Sequence, residues 1–236
     1  MFKQRLLTTL VLVPLVLAAI YYVSAKVFAG AVLLLLAGCA LEWLQLIPVK
    51  QRLTKAIFLI MIGLACYLIA LIFPYWLGIG IVVWMSILIC VVRYPYSMTF
   101  WGYPAVVSFF CLLLLPLFMQ SMTALFLMEK GRGLVVYSLF LVWAADTGAY
   151  LAGKQWGKTK LISSVSPGKT IEGVLGGFLL SMLVAIVGLF CFKPHSIVNW
   201  FLIAIVATGV SLLGDLFISM LKRRVNIKDT GHLIPG

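Results

Sequence analysis

Four polar residues follow one another through an otherwise apolar stretch late in the chain: Ser211, Asp215, Ser219 and Lys222, at spacings of four, four and three. On a helix those spacings place them along one face. A hydroxyl, a carboxylate, a second hydroxyl and an ammonium in file suit a hydrated divalent cation with a phosphate beside it. Mg2+ in particular takes one or two carboxylates and keeps waters and substrate oxygens for the rest of its shell. The plainer alternative is a carboxylate paired with a neighbouring helix's cation for packing. Asp146, in the segment WAADTGAY, is flanked by small residues that allow close helix approach. It reads either as a second site acid or as a structural polar contact, whereas Glu42, beside Trp43, reads as structural.

The stretch SSVSPGKTIEG invites comparison with a phosphate-binding P-loop. That motif needs a glycine five positions before Gly168, and the position holds Ser163, so the match fails. What stays is SPGKT, residues 166–170, read as a Pro-Gly turn that opens the seventh apolar span. Free backbone N–H groups at a helix start, with Lys169 alongside, can hold phosphate oxygens. A cytoplasmic loop with a simple helix cap is the alternative. The last eighteen residues, SMLKRRVNIKDTGHLIPG, add Lys222, Arg223, Arg224, Lys228, Asp229 and His232. Taken alone, His232 is a solvated imidazole in a glycine-containing loop.

The elements that must position these groups are apolar helices. With 64% hydrophobic and only 10% charged residues among 236, and a mean hydropathy of +1.17, the chain lies far from soluble domains, in which roughly 25% of residues are charged. A hydrocarbon core of about 30 Å needs about 20 apolar residues per helix. Eight windows qualify, at 6–24, 27–47, 56–73, 75–92, 104–127, 134–152, 174–192 and 200–221, and only Pro74 and its aromatic neighbours divide the third from the fourth. The fold class expected is therefore all-α, a polytopic membrane protein with a cytoplasmic N-terminus. The first window follows Lys3 and Arg5 in the manner of a signal sequence but reads as a retained helix. The five cysteines each fall inside an apolar window without metal-ligand spacing and read as small buried hydrophobes.

Net charge is +12, and its distribution decides what it means. Threading the windows puts Lys26, Lys130, Arg132 and Lys193 outside and the other fourteen cations on the cytoplasmic side. The excess is thus an orientation signal first, with attraction for anionic headgroups or nucleotides second. Of the six acids, Glu42, Asp146 and Asp215 lie within apolar windows, all in the cytoplasmic half of their helices. Ionisable groups at that depth are functional-site hypotheses by default, and a shared depth favours one polar cavity open to the cytoplasm. The polar motifs concentrate after residue 134. Residues 1–133 therefore read as a transmembrane scaffold and 134–236 as the part carrying the chemistry, within one continuous membrane domain.

Read together, Ser219, Lys222, Arg223, Lys228, Asp229, Gly231, Pro235 and Gly236 resemble the SxxKRxxxxKDxGxxxPG signature of the phosphatidate cytidylyltransferases, also called CDP-diacylglycerol synthases. The resemblance extends upstream through Gly214-Asp215-Leu216, Ser166 to Gly173 and Trp143 to Tyr150, covering essentially the second half of the chain. It implies a helical membrane enzyme that joins CTP to phosphatidate with Mg2+, giving CDP-diacylglycerol and pyrophosphate. Carried across by position, Asp215 is the metal ligand, and Lys222, Arg223 and Lys228 hold phosphates. Ser166, Gly168, Lys169, Thr170, Ser219 and His232 line the nucleotide or headgroup pocket, and Asp146 and Asp229 are further site acids. The expected partners are CTP, phosphatidate and membrane lipid, with a homodimer as the assembly and no nucleic acid. The expected location is the inner, cytoplasmic membrane, with the active site facing the cytoplasm. In the family a His-Gly-Gly segment and an Asp-Arg-x-Asp element with a second metal-binding carboxylate follow the Pro-Gly pair, whereas this sequence stops at Gly236. The expectation is binding without turnover for residues 1–236, and turnover when that segment is restored.

Two rival classes share part of this pattern. A secondary transporter also places acids in a cytoplasm-facing cavity, but no paired broken helices or inverted repeat are visible. A CDP-alcohol phosphatidyltransferase handles similar lipids, but its DGxxAR pattern is missing.

Overall fold

The computed structural model describes residues 13–47 and 51–227. Within hydrocarbon every backbone polar group needs an internal partner, and uninterrupted helices meet that demand. The helices are α1 (Val13–Tyr22), α2 (Ala25–Trp43), α3 (Arg52–Leu71), α4 (Phe73–Val92), α5 (Met98–Trp101), α6 (Pro104–Leu127), α7 (Gly131–Trp156), α8 (Ile171–Phe192) and α9 (Ile197–Arg224). Seven of them, α2 to α4 and α6 to α9, are long and apolar enough to cross a membrane, and each overlaps one of the expected windows, α2 and α3 ending short of theirs at Trp43 and Leu71. The division of the third and fourth windows falls at Ile72, which leaves helical geometry two residues before Pro74. All five cysteines are free. Cys66 and Cys111 are buried as expected, but Cys39 and Cys191 are exposed on the sides of their helices, where an apolar side chain needs no protein neighbour in a bilayer.

The chain forms two compact units. The first comprises residues 13–82, 101–135 and Ile227 among those described, and its core is built by α2, α3 and α6. Phe28, Val32, Leu36, Ala40 and Trp43 make one stripe along α2, and Phe58, Ile62, Cys66 and Ile69 make another along α3. Two long-range side-chain donors in this unit close onto backbone carbonyls, whereas the buried Trp76 Nε1 has no hydrogen-bond partner among the described residues. Trp43 Nε1 donates to Val107 O at 3.1 Å and Gln120 Nε2 to Cys66 O at 2.9 Å.

The second unit comprises residues 83–100 and 136–226 and holds the sequence motifs. Here α7 and α8 approach backbone to backbone. A Cβ added at Gly177 would lie 2.7 Å from Ala145 O, and one at Gly173 would lie 2.9 Å from Ala149 O. The small residues around Asp146 are what allow this approach. Below the seam, Ser181 Oγ donates to Leu141 O at 3.2 Å, and Trp200 of α9 stacks on Tyr137 with ring centroids 4.6 Å apart. Trp200 Nε1 also donates to Ala185 O at 2.9 Å, which ties α9 to α8.

One element was not anticipated. Between α7 and α8 the chain forms an antiparallel hairpin, β1 (Lys160–Ile162) with β2 (Ser166–Thr170). SPGKT is therefore a strand, and the helix it was expected to open begins one residue later, at Ile171. Thr170 supplies the cap, its Oγ1 accepting from Gly173 N at 3.1 Å, as a threonine at a helix N-cap does. Lys160 faces Thr170 and Ile162 faces Ser166, so the longer strand carries an irregularity between the two pairs.

Candidate active site

The hairpin, α7, α8 and α9 enclose a cavity of about 290 Å3 in the second unit. Its polar lining comes from three places far apart in the chain: Asp146 and Tyr150 from α7, Gly168, Lys169 and Thr170 from β2, and Thr208 and Asp215 from α9. Its apolar lining includes Ala145, Ala149, Val174, Phe178 and Leu212.

Each polar side chain is aimed by a local cause. Asp146 is set by the α7–α8 seam, because its neighbours Ala145 and Ala149 touch the backbone of α8. Lys169 lies on β2 within the stretch where the register is irregular, between the paired residues Ser166 and Thr170. Its Nζ lies 3.0 Å from Asp215 Oδ2, joining β2 to α9. The Lys169 side chain is 24% exposed and that of Asp215 60%, so the carboxylate remains open to a ligand despite its pairing. Thr208 is buried, with its hydroxyl donating to Ala204 O at 2.8 Å.

Of the residues expected to act, Asp146, Gly168, Lys169, Thr170 and Asp215 share this cavity, while Ser166, Ser219, Lys222 and Arg223 do not line it. The helical file proposed for α9 is only partly what faces the cavity: Thr208, Leu212 and Asp215 line it and Ser211 does not. At 100° per residue, Ser211 and Leu212 fall on opposite sides of Asp215, and the cavity takes the Leu212 side. Ser219 and Lys222 lie about 6 and 10 Å further along the axis, at 1.5 Å per residue. Arg223 is instead tied to the hairpin turn, its Nε donating to Val165 O at 3.3 Å. Lys228, Asp229 and His232 lie outside the described residues.

Sequence reasoning passed over Thr208 and the hairpin. Thr208 stands two helical turns before Asp215, a spacing that returns to the same face. The pairing of Lys169 with Asp215 spans 46 positions and depends on a hairpin too short and polar to announce itself.

Among the described residues no group of three or more His, Cys, Asp or Glu side chains is placed to hold a metal. The acidic donors lining the cavity are the two carboxylates of Asp146 and Asp215. That donor set fits a Mg2+ ion completed by waters and phosphate oxygens better than a metal needing an all-protein cage.

Comparison with known proteins gives the family of the chain. Across its whole length the chain is 32% identical to a phosphatidate cytidylyltransferase of Haemophilus influenzae, covering 91% of that protein. It is likewise 34% identical over its whole length to one of Pseudomonas aeruginosa, covering 89%. Over 110 residues, 46% of the chain and 42% of the relative, it is 41% identical to a phosphatidate cytidylyltransferase of Staphylococcus haemolyticus. The sequence pattern of the Cytidylyltransferase family matches residues 3–236, and the chain belongs to that family.

Proposed function

We propose that the chain is a phosphatidate cytidylyltransferase of the inner membrane, working from the cytoplasmic side. A phosphate oxygen of phosphatidate attacks the α-phosphorus of CTP in line, forming one P–O bond. The bond from the α-phosphorus to the bridging oxygen breaks, and pyrophosphate leaves with that electron pair. The products are CDP-diacylglycerol and pyrophosphate. Little covalent work falls to the protein in such a transfer, so catalysis is positioning and charge neutralisation.

The observation that carries this reading is the meeting of Asp146, Lys169 and Asp215 around one cavity from three separate elements. In this reading Lys169 holds a substrate phosphate, and Thr170 and Gly168 shape the wall beside it. Ser166, Ser219, Lys222 and Arg223, outside the cavity lining, receive the remaining anionic groups with Lys228 and His232. Asp215 holds Mg2+, with Asp146 as a second acid on the same cavity and Asp229 as a further site acid. When bound, the ion neutralises charge on the phosphates as it develops. The apolar wall around Phe178 suits the glycerol end of a lipid entering from the bilayer.

A transporter reading is not favoured, because the full-length relatives are named for cytidylyl transfer. Radiolabelled CTP separates the two. Membranes carrying the full-length protein are expected to move label into chloroform-soluble lipid when phosphatidate and Mg2+ are present. Absence of lipid label, together with substrate flux in sealed vesicles, would overturn the assignment.

A further inference from the structure

Glu172 is an acid in the first turn of α8, lies two residues beyond the cap Thr170, and does not line the cavity. Its carboxylate faces the other way, into the turn that leads from α7 to β1. Oε2 accepts from Lys158 N at 3.2 Å, and Thr159 N lies 3.1 Å from Oε1 and 3.2 Å from Oε2. At the same junction Ile171 N donates to Thr159 O at 2.9 Å. Both ends of the hairpin, where the chain enters β1 and leaves β2, are thereby fastened to the first turn of α8.

The fastening matters because the hairpin is weak by itself. Its strands have three and five residues with an irregular register, and an isolated two-stranded hairpin is marginally stable at best. The far end is held by Arg223 through Val165 O, and the near end by Glu172. Lys169 is next to the Lys160–Thr170 pair, at the end that Glu172 holds.

We propose that Glu172 is a positioning residue for cytidylyl transfer: by clamping the backbone N–H groups of Lys158 and Thr159 it fixes the base of the hairpin and so the place of Lys169 beside Asp215. The proposal rests on the reading of Lys169 as a residue that holds substrate phosphate. A carboxylate accepting from backbone N–H groups forms hydrogen bonds stronger than a neutral acceptor would. Glutamine retains one accepting oxygen, and alanine retains none.

The test compares Glu172→Ala with Glu172→Gln in membranes carrying the full-length protein. Loss of position in Glu172→Ala should lower kcat/KM by about 10- to 100-fold, whereas Glu172→Gln should recover most of that loss. Nitroxide labels at Ser164 and Asn199, introduced as unnatural amino acids, report the hairpin against the far end of α9. Their distance distribution should be narrow in the parent and in Glu172→Gln, and broad in Glu172→Ala. Equal loss of turnover in both variants with an unchanged distribution would mean that the carboxylate works in the reaction, and would overturn the proposal. So would an alanine variant that keeps both turnover and a narrow distribution. If the alanine variant does not fold, the glutamine variant decides: near-parental turnover with a narrow distribution supports the clamp, and any other result overturns it. The distances are read without substrate, so they test the clamp even where the parent labels no lipid, a result that would count against the functional reading instead.

Discussion

Lys169 and Asp215 face each other at 3.0 Å with the carboxylate more than half exposed. The carboxylate is thus open to a ligand as well as to Lys169, and an ionisable residue inside an apolar helix is a functional-site hypothesis by default. Asp215→Asn should therefore cut Mg2+-dependent incorporation of CTP into lipid by about 100-fold or more, on the scale of losing a charge that stabilises the reacting phosphates. The thermal midpoint in detergent should scarcely move, and Asp215→Glu should keep a trace of activity. A large fall in the midpoint of the asparagine variant would return Asp215 to a structural role. Lys169→Met should behave differently, raising KM for substrate while removing the ammonium that competes with a metal ion for Asp215. Mn2+ binding followed by electron paramagnetic resonance, without nucleotide, should be tighter in that variant than in the parent. The two cavity aspartates were legible in the sequence because a carboxylate within an apolar window is costly. Their cation was not, since the partner of Asp215 is 46 residues away on a strand.

At the scale of elements, the spans could be read from hydropathy because the bilayer permits few alternatives, and even the break near Pro74 fell where the proline put it. The hairpin could not be read in this way. Lys160–Ile162 and Ser166–Thr170 carry no alternating apolar face, and what fixes them is remote: Glu172 at one end and Arg223 at the other. The α7–α8 seam was half legible, as small residues near Asp146 implied a close neighbour without naming it. At Gly176 a Cβ would collide with that of Ala152 and sit 2.8 Å from Gly148 O. Gly176→Ala should destabilise the protein by about 1–3 kcal/mol, the usual range for overpacking. Gly168→Ala, with nothing within 4 Å of the added carbon, should be close to neutral. Thermal unfolding of the two variants side by side checks both expectations, and equal midpoints would mean that the seam relaxes.

For the whole molecule, composition alone identified a multi-pass membrane protein, and fourteen of eighteen cations fall on one side of the threading, from which an orientation is expected. The hairpin and the last turn of α9 should then both face the cytoplasm. An impermeant maleimide added to intact cells should leave cysteines placed at Ser164 and Asn226 unmodified, and modify them after lysis. Labelling in intact cells would invert the topology and move the cavity to the other side of the membrane. Residues 83–100 join the second compact unit with residues 136–226, and apolar segments carry no mark in the sequence of which neighbour they will choose. The glycine seam has one further bearing, on the protein outside its bilayer. Where backbone meets backbone there is no gap for an alkyl chain, so detergent can strip lipid from the outward leucines of α7 and α8 without wedging the two helices apart. Solubilisation should thus spare the register between Asp146 and the start of α8, and activity lost in harsh detergent should come from contacts made by longer side chains.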